Sequence, residues 1–290
     1  MKAAPFQYFL PKSINETLNL MTQNSDYCLL AGGQSLMPML NFRAFQPSTI
    51  IDLNNISELT GIKVDVENKK VHIGAMTRQR ELEFSTVIQK NIQIISTAIK
   101  FVGHRQTRNR GTIGGSLCHL DPSAELLLIA SLLDVKLNVQ SINGTREISI
   151  SQWCDGYLTN TLQPGELLTS ISFPIRDSDT TSGFCEFSRR HGDFAIVGSA
   201  AQLTFDQKNL VTKAAIAIGG CSESPQRLVE IEKKLIGCQL NETIIKSISQ
   251  LALNVEATSD TFIKADYRRH LARVLTQRAL TQALKDRTSC

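Results

Sequence analysis

Tyr27-Cys28-Leu29-Leu30-Ala31-Gly32-Gly33-Gln34-Ser35-Leu36 runs a short apolar strand straight into a glycine pair and a small hydroxyl residue. Glycine lacks Cβ, so the backbone can turn through positive φ and let another group approach closely. The surroundings make the unit α/β. Upstream, Ser13 and Glu16 form an S-x-x-E capping box, and Ile14, Leu18 and Met21 then recur at helical spacing. Downstream, Thr49-Ile50-Ile51-Asp52-Leu53 is a second apolar strand. A second glycine pair with a hydroxyl residue, Thr112-Ile113-Gly114-Gly115-Ser116, is read in the same way, as a loop before a chain reversal.

Between and beyond these pairs the pattern changes. Residues 62–66 alternate, Asn68-Lys69-Lys70 turns, and residues 71–73 return, which predicts a hairpin. Helices are expected over 79–89 and 92–102, the second stopped by Gly103. Asp121 is the expected N-cap of a helix reaching Leu133, with Pro122 at its first position. Strands 135–139 and 146–150 flank Asn143-Gly144, a hairpin-turn pair, and another strand spans 166–173. The polar stretch 176–182 suggests a boundary. After it come three strands, over 184–188, 195–205 and 211–218, and then helical patterns over 225–236, 242–257 and 267–284. Strands followed by helices indicate a separate α+β domain.

The bulk properties exclude several classes. Of 290 residues, 42% are hydrophobic and 20% charged, an ordinary globular balance. No apolar run is long enough for a bilayer span, and Met1–Leu10 lacks a signal-peptide core, so a cytoplasmic location is expected. The net charge of +4 is too small to suggest nucleic-acid binding. The seven cysteines, at 28, 118, 154, 185, 221, 238 and 290, contain no C-x-x-C; neither a disulfide framework nor a resident iron–sulfur cluster is expected. The five histidines are scattered, and no H-E-x-x-H or G-x-S-x-G occurs. Redox chemistry here needs an organic cofactor or a partner.

The glycine segments suggest which cofactor. Successive backbone N–H groups in such loops can point at a diphosphate, with Ser35, Thr112 or Ser116 adding hydroxyls. Neither a G-x-G-x-x-G nor a G-x-x-x-x-G-K-[ST] fingerprint is present. FAD, with a diphosphate at its centre, suits two facing loops. Either pair taken singly is more often a plain tight turn.

The ordered motifs add specificity. Ala31-Gly32-Gly33-Gln34-Ser35-Leu36 with Pro38, Ile73-Gly74-Ala75-Met76-Thr77 and Arg108-Asn109-Arg110-Gly111-Thr112-Ile113-Gly114-Gly115-Ser116 come first. Asp121-Pro122-Ser123-Ala124-Glu125, Pro164-Gly165-Glu166-Leu167-Leu168 and Arg189-Arg190-His191-Gly192-Asp193-Phe194-Ala195 follow. In order and spacing they resemble the FAD-binding medium subunit of the molybdenum hydroxylases, the xanthine dehydrogenase and aerobic carbon monoxide dehydrogenase group. The resemblance spans nearly the whole chain.

It implies an α+β fold: a two-lobed FAD-binding domain of the vanillyl-alcohol-oxidase/PCMH type over 1–177, with lobes of about 1–57 and 58–177. A C-terminal domain of a three-stranded sheet plus helices would occupy 178–290. Ala31, Gly32, Gly33, Gln34, Ser35 and Leu36, with Thr112, Ile113, Gly114, Gly115 and Ser116, would cradle the diphosphate and ribityl chain. Glu125 would contact FAD hydroxyls, unless it is simply a first-turn helix acid. Leu168 would pack on the flavin ring. Phe194 would lie beside the flavin where some relatives carry an aromatic, although a core position is the favoured reading. Cys185 and Glu186 stand where some relatives carry a flavin-contacting lysine. Arg105, Arg108 and Arg110 either neutralise the diphosphate or form a solvated basic run. No catalytic residue and no metal ligand is expected in this chain.

The resemblance also implies partners. A large subunit would hold a molybdenum cofactor and a small one two 2Fe–2S clusters, in a dimer of heterotrimers. Electrons would pass through FAD to an external acceptor such as NAD⁺, oxygen or a quinone. The RRHGDFA segment leans toward an organic substrate over carbon monoxide. The competing readings are a stand-alone FAD-dependent oxidase or dehydrogenase of the same fold, and a flavin-free assembly module.

Overall fold

The structure, a computed structural model, describes residues 1–288; the seventh cysteine, Cys290, lies outside the described residues. The N-terminal lobe is a parallel three-stranded sheet with Thr49–Asp52 between Gln7–Phe9 and Tyr27–Leu30. Helix Ile14–Gln23 connects the outer two strands. Its N-cap Ser13 accepts from the Glu16 N–H at 3.1 Å. Glu16 reaches back to the Lys12 N–H rather than to the cap residue, so the expected box is made one residue early. Leu18 and Met21 bury against Ile51, Leu53 and Ile56.

The second lobe is an antiparallel five-stranded sheet in the order Ile62–Asp65, Lys70–Gly74, Leu167–Pro174, Lys136–Ser141, Gly144–Ser149. Both expected hairpins form. The turn of the second lies at Ile142-Asn143, because Gly144 already pairs with Ser141. The helical region before the second glycine pair is more broken than expected: helices cover Gln79–Phe84, Thr86–Asn91 and Gln93–Ala98, and Ser85 caps the second of them.

The C-terminal sheet runs Thr180–Phe187, Val197–Phe205, Val211–Gly219, and the long helix Ala265–Thr288 packs across its first two strands. A two-residue strand, Gln226–Arg227, adds a fourth member to the three expected. Helix Glu125–Leu132 lies between this sheet and the helices of the second lobe. That position explains why it is apolar all round, Leu126-Leu127-Leu128-Ile129-Ala130 all being buried. It starts later than expected. Ala124 is the N-cap, and Asp121 instead accepts from the Ser123 N–H at 2.8 Å in a turn ahead of the helix. Among the described residues, no helix is long and apolar enough to cross a membrane.

Candidate functional site

The two glycine segments meet. A Cβ on Gly32 would strike the backbone of Arg110 and come within 2.8 Å of Gly111 Cα, so the close approach of the chains requires glycine there. Polar side chains hold the approach in place. Asn54 Nδ2 donates to Ala31 O at 2.9 Å and also to Asp52, which Tyr8 grips through its hydroxyl at 2.7 Å. Arg78 then spans the gap, donating to Asn54 Oδ1 and to Arg110 O, each at 2.5 Å. Non-adjacent parts of the sequence build this clasp, and no local motif announced Asn54 or Arg78.

A cavity of about 770 Å³ opens beside the junction. Of the expected residues, Ala31, Gly32, Gly33, Gln34, Ser35 and Leu36 line it, as do Thr112, Gly114, Gly115, Ser116, Glu125, Leu168 and Phe194. Ile113 does not: its side chain is fully buried in the core of the second lobe and its N–H donates to Thr77 O.

The two segments are not equivalent. The first is an open loop, with Gly33 at φ +71°. Among the described residues, the N–H groups of Gly32, Gly33, Gln34, Ser35 and Leu36 meet no protein acceptor. The second segment is the start of a helix, Ile113–His119, contrary to the loop expected. Its N–H groups are spoken for: Gly114 donates to Ala75 O at 2.8 Å, Gly115 to the cap hydroxyl of Thr112 at 3.1 Å, and Ser116 to Thr112 O at 3.2 Å. Gly114 is there for packing, since its Cβ would lie 2.6 Å from Ala75 Cβ. Successive free donors form an anion-binding concavity, and here only the first loop supplies them.

The charge balance differs from the expected one. Among the described residues, no lysine or arginine lines the cavity; its acids are Asp121, Glu125 and Asp193. Arg108 is buried and pairs with Glu83 at 3.0 Å, while also donating to Val102 O and Gly103 O. Arg105 and Arg110 are exposed and away from the lining. Of the three, Arg108 supports the local fold, and none lines the cavity.

Other groups sharpen the chemistry. Gln79, also unforeseen, lines the cavity with a buried Oε1 that has no hydrogen-bond partner. Burial, reinforced by the charge of Asp121, pushes Glu125 up to about 7. Burial also lifts Cys28 to about 11 and Cys118 to about 12, so both cavity cysteines stay thiols. Leu168 lies at an irregularity of its strand, 3% exposed, beside Leu167 and Leu162, in an apolar part of the wall. Phe194 is not in the core; it is 63% exposed, on the segment joining the first two strands of the C-terminal sheet, at the edge of the cavity. Cys185 is half-buried and turned toward Gln282 of the long helix, on the face away from the second lobe. The arrangement suits a long ligand with an anionic middle, hydroxyls and a flat apolar end.

Comparison with known proteins agrees with that shape. Residues 4–176 match the family described as the FAD binding domain in molybdopterin dehydrogenase, and residues 182–283 match the CO dehydrogenase flavoprotein C-terminal domain. The 6-hydroxypseudooxynicotine dehydrogenase complex subunit alpha of Paenarthrobacter nicotinovorans is 35% identical, over 98% of this chain and 96% of its own length. Among solved structures, quinoline 2-oxidoreductase from Pseudomonas putida 86 superposes with a TM-score of 0.93 at 32% identity, covering 99% of this chain and 100% of that one. Carbon monoxide dehydrogenase from Hydrogenophaga pseudoflava also gives 0.93, at 30% identity, covering 99% of both chains.

Proposed function

The chain belongs to the family of FAD-binding medium subunits of the molybdenum hydroxylases, an oxidoreductase flavin subunit, and from that premise we propose how it works. It serves as the electron-transfer subunit of a molybdenum-containing hydroxylase, linking 2Fe–2S clusters on a small partner to an external acceptor. A large partner holds the molybdenum cofactor and oxidises the substrate, and the assembly is a dimer of such heterotrimers. The relative from Paenarthrobacter nicotinovorans is named as a complex subunit, which supports the multi-subunit reading. Its name and that of quinoline 2-oxidoreductase favour an organic substrate.

The observation that carries the proposal is the run of unpartnered N–H groups on Gly32 to Leu36, residues that line a cavity with no lysine or arginine among its described lining residues. The residues present fit FAD. When bound, FAD supplies a carrier that accepts electrons singly and releases them in pairs. The loop N–H groups hold the diphosphate through backbone dipoles instead of a cation. Ser116 and Glu125 offer a hydroxyl and a carboxyl to the ribityl chain. Leu168 and its apolar neighbours pack the ring and exclude water. Phe194, being exposed at the edge, can cover the ring's open face. Autonomous catalytic groups are not required of this chain, because its task is binding and orientation.

Co-purification tests the functional reading. A tagged chain expressed in its native host is expected to bring down a molybdenum-containing large subunit and an iron-containing small one. A stable lone chain that oxidises substrate would overturn it.

A further inference from the structure

A second carboxylate stands behind Glu125, on the other domain. Strand Thr180–Phe187 turns Phe184 toward the second lobe, where it meets Phe101 at 5.2 Å between ring centroids. Strand alternation puts Glu186 on that same face. Glu186 pairs with Gly198 on the neighbouring strand, and a Cβ at Gly198 would sit 3.1 Å from Leu128 Cδ2 and 3.8 Å from Glu186 Cβ. Leu128 lies one helical turn beyond Glu125. The two carboxyls therefore share one seam between the domains, Glu125 on the cavity side and Glu186 behind it.

Neither has a counter-charge. Glu186 Oε2 is buried without a hydrogen-bond partner among the described residues, whereas the carboxyl of Glu125, 7% exposed, accepts from its own backbone N–H, which partly offsets its burial. The charged groups on the surrounding elements do not compensate. Arg108 attracts Glu125 from a distance but is committed to Glu83 and two carbonyls, while Asp121 repels it. Arg278 acts on Cys185, on the opposite face of the strand. Arg227, at the far end of helix Glu125–Leu132, is bound to Glu232 and Leu132 O. The other titratable groups of the cavity lining are His119, Asp193 and the thiols Cys28 and Cys118.

We propose that Glu125 and Glu186 act as one electrostatically coupled pair of carboxyls across the domain seam, and that the pair takes up a proton when FAD enters the cavity. Two carboxylates in such a seam cannot both ionise freely. Burial pushes Glu186 up to about 8, and the charge of Glu125 pushes it the same way. FAD brings a diphosphate dianion and expels water, and both effects favour the protonated form. The balance is simple: one proton moves from solvent to a carboxylate oxygen, and no covalent bond between heavy atoms changes. Glu186, from outside the FAD-binding domain, thereby becomes a positioning residue for the cofactor. The proposal rests on the FAD reading of the cavity.

The test uses the full chain freed of flavin. FAD is titrated by fluorescence between about pH 6.5 and 8.5, and urea unfolding of the flavin-free chain is followed over the same range. FAD affinity is expected to weaken about tenfold across it, as for one linked proton, and to weaken measurably less in Glu186→Gln, where Glu125 alone, raised to about 7 by burial, still titrates. In the flavin-free chain both folded-state values lie above the ordinary carboxylate value of 4.5, so the folded state holds more protons than the unfolded one. Its stability therefore falls as pH rises through this window, and Glu186→Gln flattens the fall. If Glu186→Gln does not fold, Glu125→Gln must flatten both slopes. Wild-type slopes retained in the variant overturn the pair. A flattened unfolding slope with an unchanged FAD slope overturns the coupling to FAD. Absence of FAD binding at every pH counts against the FAD reading, and the unfolding measurement still decides the pair.

Discussion

Replacing Gly33 with valine tests the loop directly. Gly33 holds φ at +71°, and a Cβ there would lie 3.1 Å from Met37 Cγ and 3.3 Å from Leu30 Cδ1. Those two side chains can move, so the main effect is on the backbone. Positive φ costs a side-chain-bearing residue about 1–2 kcal/mol, and more when it is β-branched. The loop relieves that strain by rotating the peptides on either side, which carry the N–H groups of Gly33 and Gln34. Hydrogen bonds to a charged group contribute about 1.5–3 kcal/mol each, so losing two weakens binding by about 3–6 kcal/mol. That is a fall of about 10²–10⁴ in FAD affinity. The assay is quenching of flavin fluorescence on titration, alongside a urea-unfolding curve. Gly61→Val is the control: its φ is +104°, nothing lies within 4 Å of its Cβ position, and it does not line the cavity. It should lose comparable stability and keep wild-type affinity. Wild-type affinity in Gly33→Val would refute the assignment of the diphosphate to this loop.

Gly114→Val should behave differently, because its Cβ meets Ala75 Cβ and Ala75 O at 2.6 Å. Overpacking against backbone costs about 1–3 kcal/mol or more, so the urea midpoint should fall further than for Gly33→Val. Asn54→Ala removes the donor to Ala31 O and the acceptor for Arg78. It should weaken FAD by about 1–2 kcal/mol, roughly 5–30-fold, with unchanged far-ultraviolet circular dichroism. Glu83 supplies a pH signature. Burial tends to raise it, but the hydrogen bonds from Arg108 and Arg80 outweigh burial and hold it below 4.5. The unfolded state then binds the proton first on acidification, so this contribution is present above about pH 4.5 and lost below it. Glu83→Gln should flatten the acid limb of the stability profile; an unchanged limb would contradict the pairing.

Local patterns carried much of the fold. The alternation in 62–73, the apolar strand at 27–30 and the Ser13 cap form as read, and the strand read over 49–53 forms over Thr49–Asp52, one residue shorter. The glycine pairs, read as facing loops, do line one cavity, but as two different devices that the sequence did not distinguish. Ile113, an apolar β-branched residue inside a supposed loop, was the available sign that Thr112 caps a helix; its burial settles that helix start into the core. Of the three arginines only Arg108 faces Glu83, a partner 25 residues away that spacing cannot reveal. Asn54, Arg78, Gln79 and Glu186 were illegible for a related reason. Their roles depend on how the lobes and the C-terminal sheet come together, and each is an ordinary polar residue in its own neighbourhood. Phe194 sits before a strand of apolar residues, so its exposure at the cavity edge had no sequence signal.

The central claim is that the loop from Gly32 to Leu36 binds FAD in this chain. The direct measurement is the flavin absorbance of the purified chain, before and after incubation with FAD and removal of the excess. One FAD per chain is predicted, released by Gly33→Val and retained by Gly61→Val. A colourless chain after incubation, or stoichiometric FAD in Gly33→Val, would contradict the account.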